Sequence, residues 1–287
     1  MRLPPFTLHP EVLLLVAALA GGYAWALARL GPSHSPAGER PATRGQVISY
    51  GLGVLTIAVA ALWPIHDLSE RYLFSVHMFQ HMLIALVAPP LLLFGMPAWL
   101  LRLLLRPRWV HAVVRQATRP FVALVLFNAV ILLTHWPAWV NLTLHSEPFH
   151  FFSHTMLFLS ASCMWWPVLS PLPEMPTLSY PARMLYLFLQ SIVPTVPASI
   201  LTFGSTPLYH FYTTVPRIWG IDAVTDQRIA GLEMKILGGF ILWGLIAVIF
   251  FKWYGQEQRT EGWDALEWGR VERELRPEAP RQTKAAR

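Results

Sequence analysis

Apolar residues gather along this chain into seven runs, at roughly 11–30, 46–65, 76–96, 119–135, 150–168, 182–203 and 229–251, with short polar connections between them. Runs of about 20 residues are what a helix rising 1.5 Å per residue needs to cross a hydrocarbon core of about 30 Å. The pattern predicts an all-α protein, a polytopic membrane bundle of seven transmembrane helices. No connection is long enough for a second domain, so residues 1–255 read as one transmembrane domain and 256–287 as a polar tail. The fourth run, from Arg119 to His135, is short, and Trp136-Pro137-Ala138-Trp139 extends it as an aromatic interface anchor. Pro89-Pro90 interrupt the third run, and Pro194 and Pro197 the sixth. Each should kink its helix and free carbonyls for neighbouring helices to satisfy.

The first run sits where a signal peptide would, but a single Arg precedes it and Pro4, Pro5 and Glu11 surround its start. It reads as an uncleaved helix. From Pro97 to Trp109 the sequence reads as one basic amphipathic helix lying on the inner leaflet. In the tail, Trp263, Leu266 and Trp268 make a short apolar stripe on what reads as a solvated end.

Composition agrees with a membrane protein: 54% of residues are hydrophobic and only 13% charged, too few charges for an ordinary soluble domain. The net charge of +6 does not point to nucleic acid, because the cations flank apolar runs. Taken over alternate connections, 17 of the 22 Lys and Arg residues fall on one side and 5 on the other. The positive-inside rule then places the N-terminus outside and the C-terminus in the cytoplasm, the orientation expected in a bacterial inner membrane.

On that topology nine of the eleven histidines lie near the outer face: His9, His66, His77, His81, His135, His145, His150, His154 and His210. Only His34 and His111 lie inside. His77 with His81, and His150 with His154, stand four residues apart, so each pair projects from one helix face and can share an ion. Met78 and Met82 repeat that spacing one residue later. With a single cysteine, Cys163, there is no CxxC site, so a soft metal must use His and Met, and imidazole with thioether suits Cu(I). His9, His34, His111 and His210 read as interfacial anchors, while His135 and His145 are open between ligands and packing. Cys163 and Met164, deep beside Trp165, read as packing. Asp67 and Glu70, with Asp222 and Asp226, are the outer carboxylates placed to orient imidazoles. Glu233 and Lys235 lie within the seventh run, where ionisable groups usually face the bundle interior.

Several short motifs together resemble one family. They are His77-Met-Phe-Gln-His81-Met, His135-Trp-Pro followed by His145, and His154 leading into Trp165-Trp166-Pro167-Val168. Pro171-Leu-Pro173, Ser179-Tyr180-Pro181, and Asp226-Gln227 with Gly231 and Met234 follow in order. From about His66 to Phe251 the chain resembles the CtaG-type, multi-span cytochrome c oxidase assembly factors. It departs from them in setting Glu233 and Lys235 around Met234. The resemblance implies a non-enzymatic role in maturing the copper centre of a haem-copper oxidase. Copper, as Cu(I), would be held by His77, His81, His150, His154 and His135 with Met78 and Met82, supported by Asp67, His145, Asp226, Gln227 and Met234. The implied partners are the oxidase catalytic subunit and a periplasmic copper donor, within the lipid bilayer and with no nucleic acid. A haem-binding protein or a copper transporter using the same histidines is the alternative. A seven-helix retinal protein fits poorly, because Lys235 is near the start of its run and the third run has no Asp or Glu.

Overall fold

The computed structural model describes residues 3–36 and 38–275 and contains helices and connections, with no strand among the described residues. The first helix, α1 (Pro10–His34), is followed by α2 (Arg44–Ala61) and α3 (Ile65–Arg71). A capping box starts α2: the Thr43 side chain accepts from Gln46 N–H while the Gln46 side chain accepts from Thr43 N–H. Next come α4 (Phe74–Gly95), the short α5 (Ala98–Leu104) and α6 (Arg108–Ala117), then α7 (Pro120–Thr134) and α8 (Pro137–His145). The remaining helices are α9 (Glu147–Leu169), α10 (Tyr180–Ile192), α11 (Thr195–Phe203), α12 (Phe211–Thr214) and α13 (Ala223–Leu275).

Five stretches are long and apolar enough to cross a bilayer: α1, α2 with α3, α4, α10 with α11, and Ala223–Arg259 of α13. The pair α6 and α7, bent by 80°, makes up to six. The fifth apolar run, in α9, has 23 residues but carries His150, Ser153, His154, Ser160 and Ser162 and falls outside that set, so seven crossings are not all found.

Helix α4 is the centre of the bundle. Its apolar window is 67% buried against 11% for α1, and it packs on α2, α3, α9 and α13. Close approach of α2 is possible because Gly95 has no side chain; a Cβ there would run into the backbone of Tyr50. The Pro89-Pro90 interruption appears as a π-helical turn at Leu83–Val87 just ahead of it. Proline at 89 cannot donate to Ala85 O, and Trp165 Nε1 of α9 donates to that carbonyl at 3.0 Å. Pro194 and Pro197 likewise divide the sixth run into α10 and α11.

Three local expectations change. Pro107 divides the segment read as one amphipathic helix: α5 is held by buried Trp99, Leu100 and Leu101, with Trp99 Nε1 donating to Pro41 O at 2.7 Å, and α6 follows separately. The aromatic extension after His135 forms a helix of its own, α8, tied to α9 by Trp139 Nε1 donating to Ser153 Oγ at 2.9 Å. Helix α13 runs unbroken for 53 residues into the stretch read as a solvated tail. The side chains of Trp263 and Leu266, and residues 276–287, lie outside the described residues.

Candidate metal centre

The first two turns of α4 carry His77 and His81, and the first two turns of α9 carry His150 and His154. The start of α4 is set from another helix. Leu73, its N-cap residue, offers no side-chain cap, and the buried carboxylate of Asp226 on α13 substitutes for one. It accepts from Phe74 N–H at 2.7 Å, Ser75 N–H at 3.0 Å and Ser75 Oγ–H at 2.6 Å. In a bilayer no water can replace these bonds, so Asp226 fixes where α4 begins and with it the position of His77 and His81. Gln80, fully buried one residue before His81, ties α4 to α2 and α3. It donates to Ala60 O at 2.9 Å and accepts from Ser69 Oγ at 3.0 Å.

The two helices bring their histidines together. His154 Nε2 lies 3.2 Å from His81 Nε2 and 3.0 Å from His150 Nε2. One ring nitrogen from each of His77, His81 and His154 falls within 4.8 Å of the other two. A ring nitrogen of a neutral imidazole carries either one proton or one lone pair. His154 Nε2 therefore makes at most one good hydrogen bond with the two nitrogens that face it. The other contact is unfavourable unless a cation lies among them. In addition, Nδ1 of His77 and of His81 is buried with no hydrogen-bond partner.

Carboxylates sit one layer out. Glu70 bridges two rings, one oxygen paired with His150 Nδ1 and the other 3.4 Å from His66 Nε2. With Nδ1 held by Glu70, His150 presents Nε2 to the cluster, the carboxylate–histidine arrangement that orients metal ligands. Asp67 accepts from His9 at 3.1 Å and pairs with Arg71 at 3.7 Å. The rings form a continuous ladder from His9 to His66 (4.5 Å between centroids), His150 (5.8 Å), His154 (4.1 Å) and His81 (5.0 Å).

His135, buried at the end of α7, follows 6.4 Å beyond His81. Its Nδ1 donates to Ile131 O at 2.7 Å, which leaves the lone pair on Nε2, and Nε2 has no partner. His145 does not join the cluster. It is exposed, with Nδ1 bonded to Asn141 O and its ring against Phe211, because α8 directs it away from α4 and α9. Met78 is buried with Phe74, Tyr209 and Tyr212, against which Met234 also packs. Gln227 holds the 204–209 connection, accepting from Leu208 N–H at 2.6 Å and donating to Leu201 O and Thr206 O at 3.3 Å. Asp226 and Gln227 thus support the site through the backbone of its neighbours.

The local sequence pattern gives no role to His66 or Gln80 and reads His9 as an anchor. The i, i+4 spacing of His66 and Glu70 signals their pairing. Nothing local signals that Glu70 meets His150, 80 positions further on.

The class defined by this fold and site is a helical membrane protein with a buried imidazole cluster between two of its helices. The family model of the cytochrome c oxidase caa3 assembly factor matches residues 21–256, and the chain belongs to that family. No curated protein and no solved structure matches the chain.

Proposed function

We propose that this assembly factor handles copper for its oxidase, holding Cu(I) at His77, His81, His150 and His154 at the outer face of a bacterial inner membrane and passing it to the oxidase catalytic subunit. The observation that carries the reading is the meeting of three Nε2 atoms, 3.0 and 3.2 Å apart, from two helices whose contacting residues His81 and His154 are 73 positions apart. Imidazoles without a carboxylate among the facing nitrogens disfavour Mg²⁺ and Ca²⁺, and the thioethers of Met78 and Met82, which line the same cavity as His81 and His135, favour Cu(I) over Zn²⁺. His135, with a free Nε2 at the end of the ladder, is the additional ligand. Nitrogens this close suit a single ion better than a haem. The 17 to 5 division of Lys and Arg supports the outer placement, where a periplasmic donor would supply the ion. The role is one of binding and transfer, not catalysis.

The test is an anaerobic Cu(I) titration against a competing chelator on detergent-solubilised protein, with Zn²⁺ as a competitor, beside a His77→Ala, His81→Ala double variant. Wild-type protein is expected to bind Cu(I) and the variant to lose it. Absence of binding by the wild type sinks the copper reading and leaves a scaffold role.

A further inference from the structure

The imidazole cluster adjoins a second feature of opposite character. A cavity of about 720 Å³ lies between α4, α7, α9, the break between α10 and α11, and α13, and its walls are predominantly apolar. Its lining includes the buried His81, His135 and Met82, with His81 only 8% exposed. The same lining includes the exposed side chains of Ile192, Ile236, Phe240 and Trp243, with Phe240 73% exposed. The cavity is therefore a cleft that opens sideways, within the span of α13, and leads to the histidines. On their other flank the histidines meet the polar ladder of His66, Glu70, His9 and Asp67.

Resting on the copper reading above, we infer that this cleft is where the recipient docks: a transmembrane helix of the oxidase lies along its mouth and inserts an imidazole or thioether side chain that takes Cu(I) from His81. The polar ladder suits the arrival of a hydrated cation. The cleft, apolar apart from the histidines, Gln190, Ser191, Thr195 and Lys235, disfavours one, because a bare or hydrated charge is costly in hydrocarbon surroundings and Lys235 repels a cation. An ion leaves by this side only if the recipient's own ligand enters. One Cu–N or Cu–S bond to the recipient then forms as the Cu–N bond to His81 breaks, and copper stays Cu(I) with no electron transferred.

Three observations select this occupant. Nδ1 of His81 and Nε2 of His135, both at the head of the cleft, are buried without a hydrogen-bond partner, which a lipid chain would leave unsatisfied. A membrane-spanning helix, about 10 Å across and 30 Å long, has a volume of roughly 2,400 Å³. The cleft is too small for a whole helix and has room for the side chains of one face. The family is an oxidase assembly factor, so the recipient is a membrane protein beside it in the bilayer.

Gly239 provides the probe. It lines the cleft, and a Cβ built on it meets nothing within 4 Å, so the first carbon of a larger side chain finds open space there. Gly239→Phe is compared with wild type for Cu(I) stoichiometry of the purified protein and for copper content of the oxidase in the same membranes. In parallel, a photoreactive benzophenone residue replaces Phe240, with the exposed Leu55 of α2 as the control position. The expected result is unchanged Cu(I) stoichiometry in Gly239→Phe, an oxidase left without copper, and a crosslink from position 240, not 55, to the oxidase catalytic subunit. Normal copper loading with Gly239→Phe overturns the inference, as does a position-240 crosslink confined to lipid, quinone or haem. Failure of wild-type protein to bind Cu(I) is read separately, in the stoichiometry, and overturns the copper reading on which the inference rests. The crosslink is measured without filling the cleft, so it decides the matter should Gly239→Phe not fold.

Discussion

Histidine is used in opposite ways in two regions of this bundle. Where α3, α4 and α9 meet, seven imidazoles follow one another from His9 to His135, several with a carboxylate or carbonyl holding one nitrogen and the other facing a ring. Around α5 and α6 two of the four remaining histidines stand apart. His34, exposed at the end of α1, bonds Leu30 O and Ser33 beside Trp99, and His111 lies within electrostatic reach of Glu174. His145 shows that position along the membrane is not the cause, since it is predicted on the outer side and still meets no other imidazole. A histidine becomes a candidate ligand when tertiary contacts orient one nitrogen and leave the second facing others.

The sharpest way to break this contrast is Asp226→Ala. It strands two buried N–H groups and the Ser75 hydroxyl at the start of α4, and it should destabilise the protein by about 3 kcal/mol, measured by unfolding in detergent. Cu(I) binding should fall with it, because His77 and His81 move with their helix. Next comes His154→Ala set against His145→Ala. Outer-shell partners alone are worth about 10- to 100-fold in metal affinity. Losing His154 should therefore cost more than about 100-fold, and losing His145 nothing, in the same chelator titration. Equal losses would end the distinction between the clustered and the isolated histidines.

Glu70→Gln tests orientation alone. It keeps the shape of the side chain but weakens the hold on His150 Nδ1, and Cu(I) affinity should drop about 10- to 100-fold with the fold intact. Asp67→Asn, which touches His9 and Arg71, should do less. The smallest effect belongs to the opposite region. There Arg102 pairs with Glu174 through two contacts of 2.7 and 3.1 Å on the surface, and the guanidinium holds the Glu174 carboxyl down to about 2 from its usual 4.5. A carboxyl with a depressed folded value contributes stability above its unfolded value, and the contribution is lost as pH falls from about 4.5 towards 2. Both groups are solvent-exposed, so the pair contributes less than about 1 kcal/mol. Glu174→Gln should flatten a small acid-side decline in melting temperature and leave Cu(I) binding unchanged.

Much of the helical framework is legible in the sequence, because bilayer thickness, proline and i, i+4 spacing act within one segment. The π-helical turn in α4 is foreshadowed by Pro89-Pro90, and the shared faces of His77 with His81 and of His150 with His154 follow from helix geometry. Other features escape local reasoning. Pro107 separates α5 from α6 because Trp99 is drawn into a buried contact with Pro41 O, and α8 forms where an interface strip was expected because Trp139 bonds Ser153. The role of Asp226 is invisible from its neighbours, since the amides it satisfies lie about 150 positions away.

By itself the sequence determined an all-helical membrane protein, its family resemblance, the helices that carry paired histidines and the absence of a cysteine metal site. These follow from side-chain chemistry and periodicity, which need no knowledge of neighbours. Only the tertiary structure decided that the two pairs face each other, that Glu70 orients His150, that His145 is left out and that a mostly apolar cleft reaches His81. Those outcomes depend on how helices distant in sequence pack, and packing is decided by the sum of buried contacts across the whole bundle.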